Sequence, residues 1–245
     1  MKDFKNDFYM FLNMIKNDIN FSLSRFGDGE LKIIQNEPIN LLEKYNGEFE
    51  YSPTNDKYKT SKYLLDQSFK YDSEGYYVGI ACPCCVGDSK FNLMKKISGV
   101  NDNHLTWANI FVNSNYKLFI SEMTNEFKNK NIVYVGNKNS DIHKLPFHNN
   151  INQFFRIGKN CWYNNIDLID KLKIYIKTEN IVDHKFLFAA GPLSNILCYE
   201  LYKFNNKNTY IDIGSVYDPM VNLGNTRMYH NMKHDNNNKI CIWGN

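Results

Sequence analysis

Apolar positions along this chain change period repeatedly. Residues 4 to 16 place Phe4, Phe8, Phe11, Leu12 and Ile15 at helical spacing, which predicts a helix. Residues 21 to 26 read as a strand, and residues 29 to 34 open a second helix. The stretch 41 to 53 is mixed and predicts irregular structure, 58 to 69 predicts a helix, and 76 to 81 (YYVGIA) a short buried strand. Helix is expected again over 89 to 97 and 116 to 127, while 107 to 112 fits no template. Strands follow at 131 to 135 (NIVYV, ending at Gly136) and 153 to 157, then an amphipathic helix at 167 to 176. A strand at 185 to 190 (KFLFAA), a helix at 193 to 204 and a strand at 209 to 213 (TYIDI) complete the pattern, and from Asp218 the chain is polar and irregular. Strands alternating with helices of about ten residues predict βαβ units and a mainly parallel sheet with helices on both faces. No internal repeat or Pro/Gly/Ser linker interrupts it, so residues 1–245 are expected to form one domain. In such a sheet ligands bind at the C-terminal strand ends. That directs attention to Gly27 to Glu30, Cys82 to Cys85, Gly136 to Asn139, Gly191 to Asn195 and Gly214 to Asp218.

Composition narrows the picture. With 43% hydrophobic and 15% aromatic residues the chain can bury a full core. A net charge of +3 with scattered basic residues argues against nucleic acid as a partner. Only Arg25, Arg156 and Arg227 are arginine among 29 basic residues, which marks each as a position where a planar fork can matter. Charged residues interrupt any secretory leader at the N-terminus, and no stretch has the length of a membrane span. Six cysteines, three of them clustered, do not make a disulfide framework, so a reduced, cytoplasmic location extending to the inner membrane face is expected.

The sharpest motif is Ser24-Arg25-Phe26-Gly27-Asp28-Gly29-Glu30, an acid pair on a strand-to-helix turn. In extended or turn backbone, residues i and i+2 point the same way, but on a helix they point nearly opposite ways. Gly27 and Gly29 allow the positive φ such a turn can need. Two convergent carboxylates at a strand end suit Mg²⁺ or Mn²⁺. Alternatively, Asp28 is a helix N-cap and Glu30 a first-turn acid complementing the helix dipole. A second signal is Gly191-Pro192-Leu193-Ser194-Asn195, where a buried strand runs into a helix. Its small residues leave backbone N–H groups for a phosphate, and Ser194 and Asn195 offer side-chain donors; ordinary helix initiation is the other reading. Asp212, within the last strand, needs a partner or a ligand. Beyond it, Asp218 is a reasonable general base and Arg227 a phosphate or carboxylate anchor, in a tail that also carries Tyr229 and His230. A capped turn with a surface arginine reads equally well there. Cys82-Pro83-Cys84-Cys85 lacks a second zinc-ligand pair and is expected to be small buried thiols at a strand end.

Taken together, the early RFGDGE, the late Gly-Pro turn followed by LCYELY, and the strand ending in Asp212-Ile213-Gly214 resemble the GT-D glycosyltransferases, small bacterial enzymes once described only as a domain of unknown function. Order and spacing agree from about residue 20 to 230; the chain departs at Ser215-Val216-Tyr217-Asp218-Pro219 and at Gly136-Asn137-Lys138-Asn139. The resemblance implies a Rossmann-like α/β fold of GT-D type and a metal-dependent hexosyl transfer. The donor would be a nucleotide-diphosphate sugar, a UDP-sugar first, and the acceptor a glycan, lipid-linked or protein-linked hydroxyl. It assigns Asp28 and Glu30 to the divalent metal and diphosphate. Arg25, Phe26, Gly27 and Gly29 fall in the same motif, and Gly191, Pro192, Ser194 and Asn195 in the nucleotide cradle. Asp212, Gly214 and Ser215 lie beside that cradle. Asp218 and Arg227 are the expected base and anion anchor, with Tyr229 and His230 in a segment closing over the substrate. A non-catalytic nucleotide-sugar-binding module and a metal-dependent nucleotide phosphohydrolase are the alternatives.

Overall fold

The computed structural model describes residues 4–41 and 49–231. Part of the stretch expected to be irregular (42–48) and the end of the polar tail (232–245, with His234 and Cys241) lie outside the described residues.

Seven strands form one sheet: β1 (Ser22–Phe26), β4 (Tyr76–Ile80), β5 (Leu105–Trp107), β6 (Ile132–Asn137), β7 (Ile151–Ile157), β8 (Lys185–Phe188) and β9 (Thr209–Asp212). Their order is β5-β4-β1-β9-β8-β6-β7, and all their pairings are parallel. The short strands β2 (Ile39–Asn40) and β3 (Glu50–Tyr51) pair antiparallel outside this sheet. The α/β, Rossmann-like expectation therefore holds, with a sheet that is parallel throughout.

The strands are buried on both faces, which is why they read as apolar runs rather than alternating ones. Val133, Val135, Phe186, Phe188 and Tyr210 share one core with Leu65 and Phe69 of helix Lys59–Lys70, Leu172 of Leu168–Thr178 and Leu197 of Pro192–Phe204. Ile132, Tyr134, Leu187 and Ile211 share the other with Phe8, Phe11, Leu12 and Ile15 of helix Phe4–Lys16 and with Phe119, Met123 and Phe127. Period-two alternation sends successive strand residues to opposite cores.

Three elements depart from the sequence reading. Edge strand β5 begins at Leu105, where 107 to 112 fitted no template; three residues are too few to set a period. The β2–β3 hairpin lies at the margins of the stretch expected to be irregular. The 116-to-127 helix is real but carries a wide turn over Phe119–Met123.

Chain order sets the site. From β1 the chain steps outward through β4 to β5. It then crosses to β6 and β7 and returns through β8 to β9, which pairs with β1. The direction of winding reverses between β1 and β9, and the C-terminal ends of those strands are the crevice where open α/β sheets bind ligands.

Candidate functional site at the sheet switch point

β1 delivers Arg25 to this crevice, and the chain then enters helix Asp28–Ile34 directly. Gly27 is the N-cap, with φ −90 and ψ −166, and Glu30, at the third helical position, accepts a hydrogen bond from the Gly27 N–H at 2.9 Å. This is the carboxylate half of a capping box. A Cβ on Gly27 would sit 3.2 Å from that Glu30 oxygen, so glycine permits the close approach. Neither Gly27 nor Gly29 has positive φ, contrary to the expectation for this turn. Gly29 instead packs against the hairpin, where a Cβ would meet Phe49 Cζ at 2.9 Å. Asp28 and Glu30 thus stand on the first turn of a helix rather than on extended backbone, Asp28 exposed and Glu30 half-buried.

Across the crevice, Asp212 ends β9 and is buried. Its Oδ1 accepts from the Gly214 N–H at 2.9 Å and lies 3.5 Å from Arg25 Nη2. Arg25 is a tie between three strand ends. Its Nε donates to the Asp212 carbonyl at 2.6 Å and its Nη1 to the Ala108 carbonyl, beyond β5, at 2.9 Å, and the guanidinium lies 5.5 Å from the centre of the Phe111 ring. Only 8% of its side chain is exposed, so the fold engages the fork that the sequence reading offered to a phosphate. Gly214 makes this clamp possible: its φ is +55, and a Cβ there would fall 2.5 Å from Arg25 Nη2.

Three carboxylates at the crevice set its electrostatics. Burial pushes the Glu30 carboxyl up to about 7, and the charges of Asp212 and Asp28 push in the same direction, against the hydrogen bond from Gly27. Burial also raises Asp212, opposed by Arg25 and the Gly214 N–H. Each carboxylate offers the hard oxygen ligand that a divalent cation takes, but on a helical turn residues i and i+2 point to different sides, and among the described residues the three carboxylates do not close to the spacing of ligands around one ion.

The Gly-Pro turn behaves differently from its sequence reading. Gly191 is exposed with φ +52, and Pro192 occupies the first helical position. Ser194 and Asn195 are buried, and their side chains serve the fold. Ser194 Oγ accepts from the Ala190 N–H at 3.0 Å, while Asn195 Nδ2 donates to Ser24 Oγ at 3.1 Å and to the Arg25 carbonyl at 2.8 Å. They fasten the helix to the ends of β8 and β1 instead of presenting side-chain donors to a phosphate. Phe26 likewise is core, fully buried with its ring 4.6 Å from that of Phe69, and does not face a ligand.

After β9 the chain folds back on Ser215 and Tyr116. Ser215 Oγ and the Tyr229 hydroxyl are 2.8 Å apart, and His230 Nε2 is 3.0 Å from the Ser215 carbonyl. Burial pushes the Tyr229 hydroxyl up to about 12, opposed by its bond to Ser215 and by the charges of Arg25 and Arg227. Thr226 Oγ1 donates to Asp218 at 2.6 Å and pins the loop in its folded-back course. Tyr116 packs under this strap, its ring 5.0 Å from Tyr229 and 5.6 Å from His230. The sequence reading missed Tyr116, Phe111 and Ala108. Tyr116 at the start of a helix reads as core, Phe111 falls in a turn within a stretch that fits no template, and Ala108 acts through its backbone, which leaves no sequence signal.

Fold and site together define a parallel α/β protein with acidic groups at the switch point and a C-terminal segment folded back on Ser215. No protein-family model matches the chain, and no curated protein matches it. Among solved structures, the domain of unknown function 1792, described as having a distinct glycosyltransferase fold, superposes with a TM-score of 0.55 at 16% identity, over 88% of this chain and 80% of that one. A selenomethionine-substituted structure of the same domain gives 0.56 at 16% identity with the same coverage. A structure described as a new glycosyltransferase of this type from Streptococcus sanguinis gives 0.54 at 15% identity, over 90% and 85% of the two chains. The likeness is one of fold, the GT-D type that the sequence motifs suggested.

Proposed function

We propose that the protein is a glycosyltransferase that takes a nucleotide-diphosphate sugar, a UDP-sugar first, and passes its hexose to a hydroxyl of a glycan, lipid-linked or protein-linked acceptor. The observation that carries the reading is a parallel sheet shaped like a glycosyltransferase-fold domain, with Glu30 at its switch point feeling the charges of Asp212 and Asp28. Asp28 and Glu30 would hold Mg²⁺ or Mn²⁺, which when bound neutralises the donor's diphosphate and the charge that grows on it as the sugar leaves.

The chain's own groups account for the rest. The first turn of helix Asp28–Ile34 and the exposed Gly191 turn flank the space for the diphosphate and nucleotide. Arg227, half-buried beside Tyr229, supplies positive charge to the leaving phosphate, as Arg25 does more weakly from within its clamp. Asp218 takes the proton of the acceptor hydroxyl. That oxygen bonds to the anomeric carbon as the bond to the phosphate oxygen breaks, and its electron pair leaves with the nucleotide. Direct attack of this kind inverts the anomeric centre. The strap over Ser215 excludes water that would otherwise hydrolyse the donor. Among the described residues no helix is long and apolar enough to cross a membrane.

The test is thermal unfolding with a panel of nucleotide sugars, with and without Mn²⁺, followed by turnover of the donor that binds. A ligand raises the melting temperature by mass action. The expected result is stabilisation by a nucleotide sugar that needs Mn²⁺ and is lost in Asp28→Asn, with turnover that needs an acceptor. Binding without turnover would favour a binding module instead, and turnover indifferent to acceptors would favour a phosphohydrolase.

A further inference from the structure

The cysteine run after β4 is not the buried set its sequence suggests: Cys82 is buried, but Cys84 and Cys85 are exposed. We propose that Cys82, Cys84 and Cys85 form a three-thiolate site for a thiophilic divalent cation of the zinc class, with a fourth coordination position open to solvent. Cys82 sits in extended backbone (φ −76, ψ 154) just past β4, and Pro83 starts a single helical turn, Pro83–Val86. That turn brings Cys85 back to the face of Cys82, three residues earlier. All three Sγ atoms lie within 4.8 Å of one another, with Cys82 and Cys84 3.0 Å apart. Sulfurs around a tetrahedral zinc with bonds of about 2.3 Å are separated by about 3.8 Å. The thiols therefore need side-chain adjustments on the order of 1 Å to bind.

Two further observations point to a ligand rather than to packing. Asn109 Nδ2 lies 3.0 Å from Cys82 Sγ and 3.4 Å from Cys85 Sγ, an N–H donor aimed at two sulfurs at once. Such a donor stabilises thiolates and orients them, as outer-shell partners do at metal sites. The other described cysteines behave as ordinary buried thiols: Cys161 donates to the Ala190 carbonyl at 3.1 Å and Cys198 to the Leu23 carbonyl at 3.3 Å. Sequence reading discounted zinc because a second ligand pair was missing. Three protein ligands with an open fourth position are nonetheless the arrangement of zinc sites that bind an exchangeable ligand. The site shares no ligand with the acidic crevice, although Asn109 directly follows Ala108, whose carbonyl holds Arg25.

The experiment uses the full chain, purified under reductant, stripped with chelator and titrated with Co²⁺. The expected result is one equivalent bound with a sulfur-to-cobalt charge-transfer band, displaced by Zn²⁺. That band should be lost in Cys84→Ser and in Cys85→Ser, whose exposed side chains leave folding intact, and retained in Asp28→Asn, which separates this site from the acidic one. Cobalt binding without the band would overturn the proposal. So would a band that survives both serine substitutions, or reduced protein that binds no cobalt while oxidised protein shows a disulfide within residues 82–85.

Discussion

Replacing Gly214 with alanine tests the clamp on which the crevice is built. At φ +55 an L-residue is disfavoured by about 1–2 kcal/mol. The added Cβ would also stand 2.5 Å from Arg25 Nη2, where a normal contact is about 3.5 Å, so the guanidinium must retreat by about 1 Å. Its bonds to the Asp212 carbonyl at 2.6 Å and the Ala108 carbonyl at 2.9 Å cannot both survive that retreat. A hydrogen bond from a charged group contributes about 1.5–3 kcal/mol. Gly214→Ala should therefore destabilise by about 3–5 kcal/mol, a fall in melting temperature on the order of 10 °C for a chain of this size. Denaturant unfolding followed by circular dichroism measures it, with the same substitution repeated in an Arg25→Met background. Without the guanidinium only the backbone cost remains, so alanine should then cost about 1–2 kcal/mol, a coupling of about 2 kcal/mol between the two sites. An equal cost in both backgrounds, or one under about 1 kcal/mol in the wild type, would show that the added Cβ does not act through Arg25.

Other outcomes follow from the same geometry. Glu30→Gln keeps an acceptor for the Gly27 N–H and should fold normally yet lose transfer, while Asp28→Asn should lose transfer with little change in stability; normal turnover in either variant removes the pair from the reaction. Glu30 titrates near 4.5 when unfolded and near 7 in the fold, so between those values the native state binds more protons and stability falls as pH rises. Glu30→Gln should lack that fall and gain on the wild type by at most ~3 kcal/mol from mildly acidic to mildly basic pH, and parallel stability curves would contradict this. Asp218→Asn should slow the chemical step strongly and leave donor affinity nearly unchanged, whereas Arg227→Lys should weaken donor binding by losing the bidentate fork; a kinetic split in the opposite sense would exchange or remove these roles. Tyr229→Phe breaks the bond to Ser215 and should cost about 0.5–1.5 kcal/mol of stability while raising KM for the donor, and an unchanged KM would show that the strap does not cover the donor.

Local signals carried most of the element order. The apolar runs at Ile132–Asn137, Lys185–Phe188 and Thr209–Asp212 read as strands because they are buried on both faces, and helix Pro192–Phe204 announced itself by Gly-Pro. β5 stayed hidden because three residues in a parallel edge pairing have no period of their own. At the site, sequence located the turns but misjudged individual side chains. Phe26, Ser194 and Asn195 sit in or beside a motif that looks functional, yet they hold the scaffold. Motif reading cannot tell which way a side chain faces, and one residue of helix phase decides between crevice and core.

The alternation of strands and helices, the acids after the first strand and the Asp-Ile-Gly at the end of the last strand are all legible along the chain, because they depend on periods and turn chemistry within a few residues. The tertiary fold alone brings Asp28, Glu30 and Asp212 to neighbouring strand ends. That required β9 to pair with β1 across almost the whole chain. It also decided that Arg25 is a clamp: its partners Asp212 and Ala108 come from distant segments, and the space for its fork exists because Gly214 lacks a Cβ. Convergence across the sheet is set by the order of its strands, and that order minimises exposed apolar surface over the whole molecule, a global sum that no local window of sequence contains.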